Sequence, residues 1–149
     1  MPSHLQVIAL DRITYEDDVD VVILPSIDGQ LGVLPRHAPI VTALQTGEIV
    51  ARKSGDEISI AVSGGFVQVS PEAVIVLADA AERAEEIDVA RAQAARERAQ
   101  ERVTDRSTIT DLDVARAEAA LSRSLARIRV AEKSTRHPGS GSPPVAGAG

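Results

Sequence analysis

The sequence predicts an α+β protein: an antiparallel β-sandwich of eight to ten strands, followed by an antiparallel helical hairpin. Two observations carry this reading. From Leu5 to Ala78 the chain runs in short, β-branched apolar segments separated by Gly, Pro, Asp and Ser clusters, the pattern of a sandwich or barrel-like sandwich. At Asp79 the composition breaks, and residues 80–136 contain neither Gly nor Pro and are rich in the helix formers Ala, Arg and Glu. A chain of 149 residues, 44% of them hydrophobic, has room for one cored domain with an appendage. The expected division is a sandwich over 1–84, a hairpin over 85–136 and a tail over 137–149, whose Pro, Gly and Ser without periodicity predict disorder.

Taken in order, Leu5, Val7 and Ala9 alternate with polar neighbours, and Ile13-Thr14-Tyr15 forms a second run before an expected acidic turn at Glu16-Asp17-Asp18. Val19 to Leu24 reads as a strand ended by Pro25, which offers no ladder N–H. Asp28-Gly29 is a tight-turn dipeptide and Leu31 to Leu34 follows it. Pro35 and Pro39 then hold Arg36-His37-Ala38 extended. Ile40 to Leu44, Gly47 to Arg52, Glu57 to Val62, Phe66 to Val69 and Ala73 to Ala78 complete the strands. Lys53 to Asp56 closes a hairpin, and Gly64-Gly65 breaks the chain before Phe66.

Two helices are expected, Ile87 to about Val103 and Leu112 to about Lys133. Thr110 would cap the second, with Asp111 and Asp113 in its first turn and Arg127, Arg129 and Lys133 in its last. The seam is read as Ala92, Ala95, Ala99 and Val103 against Val114, Ala117, Leu121, Leu125 and Ile128. So few large apolar side chains predict an arm with more than one arrangement, its small-residue face free to dock elsewhere.

Composition excludes several classes of function. No Cys removes disulfides and thiol chemistry, and the three His lie in separate contexts without metal-ligand spacing. One Tyr and one Phe give no stacking platform, and residues 1–80, with 4 basic and 11 acidic side chains, repel nucleic acid. There is no apolar run near the roughly 20 residues of a membrane helix and no signal-peptide pattern, so a soluble, intracellular chain without membrane insertion is expected. Neither a phosphate loop nor a hydrolase nucleophile elbow is present. No catalytic set and no required cofactor emerge.

Gly29-Gln30-Leu31-Gly32-Val33-Leu34-Pro35-Arg36-His37-Ala38-Pro39 resembles the Gly-Glu-x-Gly-x-x-Pro-x-His-x-Pro signature of the F-type ATP synthase epsilon subunit, the counterpart of mitochondrial delta. Gln30 replaces the usual Glu, Ser26 stands where Gly is common, and Ser63-Gly64-Gly65-Phe66 is similar to the family's Gly-Gly-Phe segment. The resemblance spans residues 3 to about 134. It implies a non-catalytic subunit of a hetero-oligomer, peripheral on the cytoplasmic side of the cell membrane. The sandwich would sit on the gamma subunit and c-ring of the central stalk, coupling proton transport to ATP synthesis. The hairpin would reach toward the alpha and beta subunits to restrain ATP hydrolysis. Arg36 and His37 would belong to the rotor interface, and Arg129 and Lys133 to the face that meets the catalytic subunits.

Ile87-Asp88-Val89-Ala90-Arg91-Ala92 further resembles the Ile/Leu-Asp-x-x-Arg-Ala motif of ATP-binding bacterial members. Arg123 and Arg127 match the family's paired arginines, with Glu82 and Arg98 at further contact positions. The resemblance implies ATP as a regulatory ligand, and the spacing would put Asp88 with Arg91, and Arg123 with Arg127, on shared helix faces. The alternative is a scaffold or chaperone-like β module with a coiled-coil arm, or a nucleotide-responsive regulator outside any synthase.

Overall fold

A computed structural model of the chain describes residues 2–10, 12–104 and 111–136. The early alternating runs form β1 (Ser3–Ala9), β2 (Arg12–Val19), β3 (Val21–Ser26) and β4 (Gly29–Val33). Two long strands follow, β5 (Ile40–Lys53) and β6 (Asp56–Val69), then β7 (Ala73–Ala78) and a three-residue β8 (Ala81–Arg83). A 3-10 turn, Ala84–Glu86, leads into α1 (Val89–Thr104) and α2 (Asp111–Arg136). The predicted Thr110 cap, the link between the helices and the tail at 137–149 lie outside the described residues.

The strands form one continuous ladder, β2-β1-β7-β6-β5-β3-β4, with β8 added on β6. Residues 40–44 of β5 pair with 65–69 of β6 on the side of β7, β1 and β2, whereas residues 47–53 pair with 56–63 on the side of β3 and β8. Each long strand thus serves two layers, and the inward residues meet in one core, among them Leu5, Val7, Tyr15, Leu24, Ile49, Ile60, Val67 and Val76.

Several expectations change. Gly64-Gly65 does not end a strand: at φ 86° and 125° it bends β6 from one layer to the other while pairing resumes on both sides. Gly65 is obligatory there, because a Cβ would fall 2.1 Å from the Leu77 carbonyl oxygen. The four runs from Ile40 to Val69 are therefore two strands. Glu16-Asp17-Asp18 is strand and not turn. Its carboxylates find partners in His4, Gln6 and Lys53, the last at 2.8 Å from Asp17, which offsets poor β propensity. Pro25 lies inside β3, where the register against β5 is interrupted between Ile23 and Ser26, so its missing N–H breaks no ladder bond. Helix α1 starts at Val89, two residues later than expected, because Asp88 caps it.

The hairpin seam also differs. Ala92, Ala99, Ala117 and Ile128 are buried as expected, but Leu125 is 37% exposed and Ser124 is buried instead. Ser124 tolerates burial by donating its hydroxyl to the Ala120 carbonyl at 3.0 Å. Val130 and Ala131, outside the predicted seam, are buried against the sandwich, so α2 carries two packed faces and not one.

Candidate functional site

The face of the sandwich covered by α2 is built from a single register line. Glu48 of β5 is the direct partner of Ala61 in β6, and Ala61 is the direct partner of Glu82 in β8. Alternation along the strands sends Ile49, Ile60 and Val62 into the core, which leaves Glu48 and Ala61 on the opposite surface. Arg127 Nη2 lies 2.5 Å from Glu82 Oε1, and Lys133 Nζ lies 2.5 Å from Glu48 Oε1. Between these charge pairs Ala61 packs with Ile87, Val130, Ala131 and Ala84. Ser59 also donates its hydroxyl to Glu48 at 2.7 Å, so a carboxylate only 9% exposed has two donors.

A shallow cleft opens beside this line, walled by Ser63, Ala80, Glu82, Arg123, Ala126 and Arg127. It joins three of the residues expected to hold ATP: Glu82, Arg123 and Arg127. Ile87 lies in the adjoining apolar cluster, and Ala92 is buried in the helix seam. Asp88 stands at the start of α1. Its Oδ1 accepts the Arg91 backbone N–H at 3.0 Å and its carbonyl accepts that of Ala92, the geometry of a helix N-cap. Arg91 and Arg98 are exposed on α1 and do not line the cleft.

The loop with Arg36 and His37 is held to the β6–β7 connection. Arg36 takes a positive φ of 64° and its N–H donates to the Pro71 carbonyl at 3.0 Å, while the His37 N–H donates to Leu34. His37 Nδ1 stands 2.7 Å from the Ala38 carbonyl. Beside it runs an outer sheet face that sequence reasoning missed. Phe66 pairs directly with Ala43 and with Leu77, and Val41, Phe66 and Leu77 are 70%, 60% and 56% exposed. The available signal was alternation itself, since apolar residues stand at both phases of Ala73 to Ala78. Glu48 was missed as well, although a lone carboxylate inside the Gly47–Arg52 run marks an outward position that needs a cation.

Compared with known proteins, residues 3–84 match the family model for the beta-sandwich domain of the ATP synthase Delta/Epsilon chain, and residues 85–132 match that for its long alpha-helix domain. The ATP synthase epsilon chain of Dehalococcoides mccartyi strain BAV1 is 46% identical over 134 residues, covering 90% of this chain and 95% of its own length. That of Chloroflexus aggregans is 50% identical over 99 residues, covering 66% and 71%. A chain in the cryo-EM structure of the Euglena gracilis mitochondrial ATP synthase (OSCP/F1/c-ring) superposes with a TM-score of 0.72 at 22% identity, covering 91% of this chain and 82% of that one, a likeness of fold.

Proposed function

The chain belongs to the ATP synthase delta/epsilon family as a non-catalytic epsilon-type subunit, and from that premise we propose how it works. The sandwich is the fixed part: it seats on the gamma subunit and c-ring of the central stalk and turns with them, while the helical arm restrains ATP hydrolysis at the alpha and beta subunits. Attachment to the membrane is peripheral and comes through the complex; among the described residues no helix is long and apolar enough to cross a bilayer. The observation that carries the reading is the asymmetry of the two outer faces. Val41, Phe66 and Leu77 form an apolar surface that no described residue covers, next to the Arg36-His37 loop held to Pro71. The opposite face is covered by the chain's own arm through small residues and ion pairs.

Phe66→Asp should weaken assembly with gamma by at least ten-fold, since a desolvated aromatic anchor is typically worth about 2 kcal/mol. Arg36→Asp with His37→Asp should weaken it less, the loop lying beside that anchor. Unchanged affinity in both would remove this face from the interface. For the arm, Arg129, exposed on α2, is the residue to reverse. Arg129→Glu in the assembled enzyme should raise hydrolysis and reduce its dependence on salt.

ATP is proposed as the regulatory ligand of the cleft, with Arg123 and Arg127 as phosphate partners. Ligand bound only by the docked arm would stabilise that arrangement by RT ln(1 + [L]/Kd), about 2.7 kcal/mol at one hundred times Kd. Calorimetry tests it: heat that is lost in Arg127→Ala and kept in Arg116→Ala supports the cleft, and no heat up to millimolar ATP removes it.

A further inference from the structure

The line Glu82, Ala61, Glu48 and the helix that lies on it have matching repeats. Adjacent strands stand about 4.8 Å apart, so the two carboxylate positions are roughly 9.6 Å apart across β8, β6 and β5. On α2 the partners Arg127 and Lys133 are six residues apart, about 9 Å at about 1.5 Å per residue. Val130, midway between them, packs in the cluster with Ala61, midway on the sheet. The helix therefore crosses the strands with one helix position per strand: Arg127 on Glu82, Val130 by Ala61, Lys133 on Glu48. A shift of α2 by one turn would move both cations off their acids together.

We propose that this acid–alanine–acid line is a charge-coded latch that sets the position of α2 on the sandwich. The apolar part of the contact is small, Ala61, Ala84 and Ala131 beside Ile87 and Val130, so position cannot be fixed by large side chains interlocking. The ends of the line supply what the middle lacks. Glu48 is the stronger point, being almost buried and also held by Ser59, with Glu57 3.8 Å from the same ammonium. Glu82, 25% exposed, and Arg127, 38% exposed, make the weaker one.

The test uses the full chain, which has no Cys. Val130→Cys places a single thiol of similar size at a position with 0% exposure under the arm. Its rate of modification by a small thiol reagent reports opening, with small-angle scattering of the otherwise unsubstituted chain as a readout that needs no thiol. Glu48→Gln should accelerate labelling on the order of five-fold, the upper end for a partly exposed pair. Glu82→Gln should act in the same direction by less, and the two together should multiply. Glu48→Gln combined with Lys133→Gln should do no more than either alone, since both break one contact. Salt near 1 M, where the screening length is about 3 Å, should mimic the substitutions. The latch is overturned if Glu48→Gln changes neither labelling nor scattering, if Glu118→Gln on exposed α2 surface has an equal effect, or if Val130→Cys is fully reactive without further change.

Discussion

A chain ending at Ala84 should fold as an independent sandwich, and the cost can be worked from what the cut removes. Every residue of the main core lies between Leu5 and Ala81, so no member of it is lost. Ala61 loses its cover from Val130, Ala131 and Ile87, which exposes about one methyl group at roughly 0.8 kcal/mol. Arg12 loses Glu86, Arg83 loses Glu85 and Glu86 at 2.9 and 3.5 Å, Glu82 loses Arg127 and Glu48 loses Lys133. With the helix gone the freed groups regain water, so each pair is worth at most about 1 kcal/mol and typically about half of that. The sum is on the order of 3 kcal/mol against the 5 to 15 kcal/mol typical of a domain. A single cooperative melt should survive, lowered by roughly 10 to 20 °C. Calorimetry of residues 1–84 against the whole chain, with circular dichroism for strand content, makes the comparison. A fragment that binds a hydrophobic dye and melts without a cooperative transition would refute the boundary at Ala84.

Gly65→Ala should cost about 3 kcal/mol or more, through positive φ and the clash with Leu77, whereas Gly32→Ala, with open space around it, should cost under about 1 kcal/mol; urea midpoints decide. Asp88→Ala should fray the start of α1 by about 1 kcal/mol and Asp88→Asn should restore it, because Asn also caps; hydrogen exchange at the Arg91 amide distinguishes this from a role for the Asp88 charge. Tyr15, the single tyrosine, has its phenol pushed up to about 12 by burial, with Asp17 adding to it. Its protonated form is thus favoured in the fold, so the stability it contributes is complete below pH 10 and is lost as pH rises toward about 12. Absorbance at 295 nm should follow that high titration, and a transition centred near 10 in the folded chain would contradict it.

The architecture was legible because it rests on local rules. Alternation gave nearly every strand, and the loss of Gly and Pro after Asp79 gave both helices. The errors have one physical source, the pairing of residues distant in sequence. Glu16-Asp17-Asp18 reads as a turn until His4, Gln6 and Lys53 are set beside it across the ladder. Gly64-Gly65 reads as a break until the strand is known to pass between two layers. Three residues of the expected nucleotide site, Glu82, Arg123 and Arg127, do come together, although Glu82 reaches that place on a strand, β8, that its three-residue length concealed. Asp88 carries the motif match and also serves the helix backbone, Asp being among the best N-caps.

The two outer faces obey different physics, and this limits what each can do. Val41, Phe66 and Leu77 offer large apolar side chains on rigid strands, a surface whose contact energy would come from burial and depend little on salt. The Glu82–Ala61–Glu48 line offers one methyl between two charges, and a contact of that kind weakens with salt and tolerates no shift in register. A surface meant to stay assembled is better served by the first, and one meant to release by the second. Release of the hairpin would accordingly spare the main core, because Ala61 under α2 belongs to the small cluster with Val130 and Ala131, while its neighbours Ile60 and Val62 point the other way.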